Sequence, residues 1–368
     1  MNKHFKVNID LMDHFVKGDE VNSYDGSFKS DEFFLKGKTS IVLKPLKFQE
    51  YCPELSKMFP KKNVALKIYL KEPKICKKSQ IQNIFAWSGL APQVYATIRI
   101  FDSNQREYQA QVVEFINGDF CYDILKMRNL AGIMNTLVKA NHIDHSEDFY
   151  PSNMIGGKWV DFGNFDWKDF EKYKIDVAVR YNNYAIWGNS SNAYQQCPAL
   201  GINNGRGSMR KEMFELDKYD FFGKTVLDIG CSGGYFTNYA ANKGARAIGV
   251  DLPSVIQATR EAGNILNSNA EYYPFDLTKD KDFLDAIYNI TGIKEFDYVF
   301  FLSMDQHIGF KNYLGDIAKT LFFESNGGML PDEEFKIFDK ELKNLFPSVE
   351  HKGVSTEGAR RNLWVAQK

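Results

Sequence analysis

The sequence predicts an α/β chain of two domains, and three observations carry that reading. The C-terminal part alternates short apolar runs with amphipathic stretches, a pattern that builds a mostly parallel sheet covered by helices on both faces. The N-terminal part strings strand-like runs together before one long helix, as an antiparallel α+β domain does. At 368 residues the chain is long enough to bury two separate cores. The expected division is 1–170 for the first domain, 171–222 for a linker and lead-in, and 223–368 for the second domain.

In the N-terminal domain, "EFFLKGKTSIVLKPL" (32–46) reads as a strand pair around a glycine-containing turn. "NVALKIYL" (63–70) is a third strand and "KSQIQNIFAWSGL" (78–90) a helix. "VYATIRIFD" and "YQAQVVEFI" add two strands, and 122–142 carries apolar residues at helical spacing. The stretch 166–222, rich in Asn and Tyr, holds the domain boundary.

In the C-terminal domain, strands are expected at 224–230, 245–251, 270–277, 296–303 and 319–325. "PDEEFKIFDKELKNLF" (331–346) is an amphipathic helix with acids in its first turn, where the helix dipole favours them. "GARRNLWVAQK" closes the chain as an expected edge strand.

Composition excludes several classes of function. Hydrophobic residues at 44% and aromatic residues at 15% describe a packed chain rather than a disordered one. Lys plus Arg (46) balances Asp plus Glu (47), so the net charge of −1 offers no global field to a polyanion or an anionic membrane. The lysines of 61–78 read as one solvated face, with a local polyanion site as the alternative. Five scattered cysteines without a CxxC pair fit a reducing compartment and give no zinc site. The N-terminus lacks the apolar core of a signal peptide and no run reaches the length of a membrane span, so a cytoplasmic location is expected.

The stretch "VLDIGCSGGYFT" (226–237) ends a strand in glycines and opens a helix. There the backbone admits a ligand closely and free N–H groups point outward. Asp251 ends the next strand, 23 residues after Asp228, near the spacing at which a carboxylate meets ribose hydroxyls. Asp276 in "YYPFDL" ends the third. A Rossmann-like domain binding another nucleotide, or nothing, is the alternative.

Together "LDIGCSGGYFT", "GVDL", "FDL" and "FDYVFFLSMDQH" resemble four motifs of the class I S-adenosylmethionine-dependent methyltransferases, over about 200–368. The resemblance implies a Rossmann-like, seven-stranded domain. It implies that Gly230, Ser232 and Gly234 line the methionine part of the cofactor and that Asp228 faces its amino group. Asp251 with Leu252 would hold the ribose and Asp276 with Leu277 the adenine, with Ser303 at the fourth motif. Ser232 departs from the commoner glycine. Methyl transfer to a hydroxyl or protonated amine needs a base. His307 is the first candidate because imidazole titrates near neutrality, with a structural loop histidine as the alternative; Asp305 and Glu324 follow. No N-P-P-Y or D-P-P-Y follows the fourth strand, which argues against amino methylation of a nucleic-acid base of the type those motifs mark.

Upstream, "AYQQCPALGINNGRGSMRKEMF" brings Tyr194, Gln195, Arg206 and Arg210. It resembles the lead-in of methyltransferases acting on sugars, tRNA wobble uridines and small molecules. An arginine here pairs with the cofactor carboxylate or a substrate phosphate, Arg206 before Arg210, or is an ordinary solvated charge.

"DFYPSNMIGGKWVDFG" (148–163) places an acid, an amide and a second acid at Asp148, Asn153 and Asp161. In phosphoryl transfer the first orients a hydroxyl and the other two hold magnesium. Lys67 in "VALKIY" is the matching strand lysine for the phosphates. The order resembles the aminoglycoside-phosphotransferase and small-molecule branch of the kinase-like fold, which implies ATP and magnesium. Departures are the single glycine of "LKGKTS", Gln82 or Asn83 where the helix glutamate belongs, Ser146 for the catalytic-loop histidine, and a trimmed C-terminal lobe.

The pairing resembles the bifunctional kinase–methyltransferases of bacterial surface polysaccharides, with domain order reversed. It implies O-methylation of a glycan or of a phosphorylated or hydroxylated small molecule, with the first domain phosphorylating or holding the acceptor. The alternatives are an RNA or other macromolecular methyltransferase with a pseudokinase recognition module, which leaves nucleic acid open as a partner, and a regulatory protein with both sites degenerate.

Overall fold

The computed structural model describes residues 5–11, 34–36, 40–60, 63–70, 75–116, 124–145, 154–160, 162, 165–185, 195–203, 205–279, 282–326, 328–356 and 360–368. The chain forms two compact units, Met1–Lys174 and Ile175–Lys368.

The first unit contains β1 (Phe5–Lys6), β2 (Phe34–Lys36), β3 (Ser40–Leu43), α1 (Pro45–Tyr51), α2 (Pro53–Ser56), β4 (Val64–Tyr69), α3 (Ile75–Ala86), β5 (Val94–Phe101), β6 (Glu107–Glu114), α4 (Ile124–Ala140), β7 (Ile143–His145), β8 (Met154–Ile155), β9 (Lys158–Trp159) and β10 (Phe165–Trp167). Six strands form one sheet in the order β1-β5-β6-β4-β3-β2. All its pairs are antiparallel except β1 with β5. Val64, Leu66 and Ile68 of β4 are buried, as are Ile81 and Phe85 of α3. Phe85 stacks edge-on with Phe165, ring centres 5.5 Å apart. Helix α5 (Phe170–Ala185) carries the chain from the first unit into the second.

The second unit follows with α6 (Gly207–Met213), β11 (Thr225–Ile229), α7 (Tyr235–Asn242), β12 (Arg246–Asp251), α8 (Pro253–Ile265), β13 (Glu271–Pro274), α9 (Phe283–Thr291), β14 (Phe296–Leu302), α10 (Asp305–Ile308), α11 (Leu314–Ile317), β15 (Ala318–Glu324), α12 (Pro331–Leu345), β16 (Ser348–Val354) and β17 (Asn362–Gln367). The sheet runs β13-β12-β11-β14-β15-β17-β16. The first five strands are parallel and the last two pairings antiparallel. This is the Rossmann-like, seven-stranded α/β architecture the sequence predicts. One face carries Leu227, Ile248, Phe301 and Phe323, and the other Val226, Ala247, Phe300 and Phe322.

One expectation is corrected. The C-terminal strand β17 is not an edge: it lies between β15 and β16, with Asn362–Ala366 buried. The true edge, β16, reads SVEHKGV, mostly exposed or half-buried, so it lacks the apolar alternation that marks a strand.

Candidate active site

The strand order reverses at β11, whose neighbours β12 and β14 lie on opposite sides, and ligands of such sheets bind beyond the carboxyl ends of the strands at that point. The loop after β11 turns through three left-handed residues, Gly230 (φ 75°), Ser232 (φ 49°) and Gly234 (φ 76°). A side chain at Gly230 would collide with Met304, and one at Gly234 with Tyr272. Ser232 is the loop residue that carries a side chain in this strained region. Its N–H donates to Asp251 Oδ2 at 2.7 Å, and its carbonyl accepts from Thr259 Oγ1 at 2.7 Å.

The acids divide by burial. Asp228, 2% exposed, sits behind the loop, where Thr237 Oγ1 donates to its Oδ2 at 2.7 Å. Burial pushes its carboxyl up to about 7, against the Thr237 bond and with help from Asp251. Asp251 ends β12 and accepts from the Ser232 and Leu252 N–H groups. Burial raises it as well, while those bonds and the nearby His307 act the other way. Leu252 is exposed beside it. Asp276 is engaged by its own loop: Lys279 Nζ stands 2.7 Å away, and Thr278 Oγ1 donates at 2.6 Å, which together lower its pKa. Leu277 packs against the core.

The exit of β14 holds the acid–base candidates. Ser303 is buried at φ 58° and locked in an ion network. Its Oγ donates to Glu324 Oε2 and accepts from Arg361 Nη1, both at 2.6 Å. Arg210 forks onto the same Glu324 at 2.8 and 2.7 Å, each partner 1% exposed. Of the two lead-in arginines, Arg210 therefore enters the buried network, while Arg206 stands at the start of α6. Glu324, fully buried and bonded, is committed to that network. Asp305 opens α10, and burial, aided by Glu334, lifts its carboxyl to about 6. Its Oδ2 accepts from the Asn326 N–H at 3.3 Å, and its buried Oδ1 has no hydrogen-bond partner among the described residues. His307 is exposed, its Nε2 3.0 Å from Gln306 Nε2.

In the first unit Lys67 lies half-buried on β4, its Nζ 5.2 Å from the Tyr69 ring centre. Gln82 donates to the Pro92 carbonyl, and Asn83 accepts from Gln93 and the Val94 N–H. Asp148, Asn153, Asp161, Ser146 and Tyr194 lie outside the described residues.

Residues 211–300 match the FtsJ-like methyltransferase family. That stretch lies within the C-terminal unit and runs from α6 to β14. A 74-residue stretch of the chain is 42% identical to the ribosomal protein L11 methyltransferase of Edwardsiella ictaluri, covering 18% of this chain and 25% of that protein. The chain thus spans about a quarter of that curated relative. Among solved structures, the bifunctional kinase–methyltransferase WbdD is similar over 52% of this chain and 46% of its own, at 18% identity and a TM-score of 0.37. The magnesium protoporphyrin IX methyltransferase of Synechocystis PCC 6803, with S-adenosylhomocysteine bound, matches 54% of this chain and 97% of its own, at 16% identity and a TM-score of 0.36.

The residues of the C-terminal unit fit S-adenosylmethionine on chemistry: a glycine loop whose backbone would admit a ligand closely, and a strand-end carboxylate, Asp251, with lone pairs to spare for hydroxyl donors. Tyr181, Thr259, Tyr272 and Met304, which contact the loop, and Thr237, which bonds Asp228, were not singled out in the sequence because no motif marks residues that act from behind a turn. Among the described residues no helix is long and apolar enough to cross a membrane.

Proposed function

We propose that the chain transfers a methyl group to an oxygen of a glycan or of a phosphorylated or hydroxylated small molecule, with Asp305 as the general base. The cofactor supplies a methyl group already activated on a sulfonium, so the protein's work is alignment and proton removal. The observation that carries the reading is Asp305: a largely buried carboxyl at the sheet's carboxyl edge, held up to about 6, with Oδ1 unbonded among the described residues. When the acceptor is methylated, Asp305 would take the proton that its hydroxyl gives up. Asp305 takes precedence over exposed His307, whose charge is felt at Asp251 and which accompanies the ribose end. Gly230, Ser232, Gly234, Asp251 and Leu252 would hold the cofactor, with Asp276 and Leu277 for its adenine, and Asp228 and Ser303 would support the turns that carry them.

In this reading the N-terminal domain, 1–170, holds the acceptor rather than phosphorylating it. Phosphoryl transfer of the kinase type needs a helix carboxylate paired with the strand lysine, and α3, ICKKSQIQNIFA, contains no Asp or Glu. ATP at Lys67 and magnesium at Asn153 and Asp161, with Asp148 orienting a hydroxyl, remain the bifunctional form of the proposal. A macromolecular acceptor is the second reading, favoured by the relative named for a ribosomal protein.

Calorimetric titration with S-adenosylmethionine tests the core of the proposal. Binding by the wild-type chain that is lost in Asp251→Ala is the expected result; no binding by the wild-type chain defeats it. Turnover assays against hydroxylated sugars, their phosphates and RNA then separate the acceptors.

A further inference from the structure

The loop after β11 is awkward to hold, because three of its five residues from Gly230 to Gly234 are left-handed and one of these is a serine. Backbone groups of residues 232 to 235 are gripped from several elements. Ser232 is held from β12 and α8, and the Gly234 carbonyl accepts weakly from Tyr272 Oη of β13 at 3.5 Å. The remaining two grips come from neither the sheet nor its helices. They come from the segment before the methyltransferase strands.

Tyr181, on α5, is among the largest fully buried side chains of the protein. Its single O–H is shared between the Gly233 carbonyl and the Gln195 carbonyl, each at 3.3 Å. Gly233 is outside the left-handed region, so its lack of a side chain is not explained by backbone conformation. It is explained by Tyr181, whose hydroxyl occupies the space a Cβ would take. Gln195 then completes the grip: its Oε1 accepts the Tyr235 N–H at 2.8 Å, capping the first free donor of α7. Neighbouring contacts fix the segment itself. Arg180 Nε meets Glu261 Oε2 on α8 at 2.7 Å, Gln196 Oε1 accepts the Gly207 N–H at 3.0 Å, and Gly207 packs so closely on the Tyr235 ring that a side chain there would collide with it.

We infer that Tyr181 and Gln195 are positioning residues of the cofactor site, and that the lead-in they belong to is a working part of the methyltransferase domain. The inference rests on the methyltransferase reading for its ligand but not for its geometry. The lead-in presses Gly233 and the α7 N-terminus into place, so the loop presents its N–H groups in a fixed arrangement before cofactor arrives. A loop free to relax would order on binding and bind more weakly.

Two readouts on the full chain test this. The first is amide hydrogen exchange at 232–235 without ligand, in wild type and in Tyr181→Phe. Faster exchange there, with the β11 and β12 amides unchanged, is expected; equal protection overturns the inference, whatever the cofactor is. The second is the calorimetric affinity for S-adenosylmethionine at unchanged melting temperature. Tyr181→Phe and Gln195→Leu are expected to weaken it about threefold to tenfold, the worth of one buried hydrogen bond. Gln195→Glu, which keeps the acceptor and suits a helix N-terminus, restores it. Gly233→Ala is expected to bind worse than either, and Gly233→Ala combined with Tyr181→Leu to recover part of the loss by freeing the space. Wild-type affinity in Tyr181→Phe and Gln195→Leu, or no recovery in the double variant, overturns the inference. A wild-type chain that binds no S-adenosylmethionine defeats the methyltransferase reading instead, and the exchange result still decides the grip.

Discussion

Burial raises Asp228, Asp251 and Asp305 in the C-terminal unit, and it lifts Asp228 and Asp305 to about 7 and about 6. For Asp228 the folded value, about 7, lies above the ordinary carboxylate value of 3.8, so the native state holds this proton more tightly than the unfolded chain does. Stability contributed by that proton is present at low pH and is lost as pH rises from about 4 to about 7. Asp228→Asn removes the titration while keeping an acceptor for Thr237. Denaturation in urea at pH 5 and pH 8 should therefore show the variant gaining on wild type by about 2–4 kcal/mol between the two. A constant difference would mean the carboxyl is not raised. Asp305 makes a prediction about rate rather than stability. If it takes the acceptor's proton, turnover falls about tenfold per pH unit below about 6 and is level above pH 7. Asp305→Asn is expected to lower kcat by about 10²–10⁴ with cofactor affinity kept. A pH profile unchanged by the substitution would point back to His307.

At the scale of elements, the carboxyl ends of β14 and β15 are tied by charge rather than by apolar packing. Arg210 of α6, Glu324 of β15, Ser303 after β14 and Arg361 before β17 form one buried network. Removing one partner strands the other: Glu324→Gln should destabilise the chain by about 3–5 kcal/mol, read as thermal melting. Arg210→Met and Arg361→Met with Glu324→Leu should cost less than Glu324→Gln alone, because no charge of the network is then left without its counterpart. The same network explains the strained Ser303. Its N–H bonds the Glu324 carbonyl at 2.8 Å while its hydroxyl serves both charges, which holds the turn that presents Met304 and Asp305. From sequence alone Arg206 and Arg210 read as ligand-pairing or solvated charges and "GARRNLWVAQK" as an edge strand, because nothing local says that two arginines converge on one glutamate 114 residues from the first.

At the scale of the whole molecule, the two units pose separate ligand questions. Lys67→Met removes the strand lysine and should leave S-adenosylmethionine binding intact; calorimetry with ATP and magnesium on wild type and variant shows whether the first unit takes nucleotide. Heat with wild type that disappears in the variant supports the bifunctional form of the proposal. Silence in both supports a holding module. The parallel sheet was legible because its strands are short, apolar and punctuated by Gly230 and Asp251, and its helices repeat at their own period. Strand β16 was not, since its residues are mostly exposed, and β17 was misread as an edge because burial on both faces comes from distant neighbours.

By itself, then, the sequence determined the alternation of strands and helices, the glycine turn and the strand-end acids, all written in spacings shorter than 30 residues. Tertiary structure alone decided that Arg210 rather than Arg206 is buried, that Asp228 stands behind the loop, and that Tyr181 and Gln195 grip it from the lead-in. The reason is physical. Spacing along the chain records the periodicity of local structure, while burial, pKa and bracing depend on which remote side chains exclude water from a site.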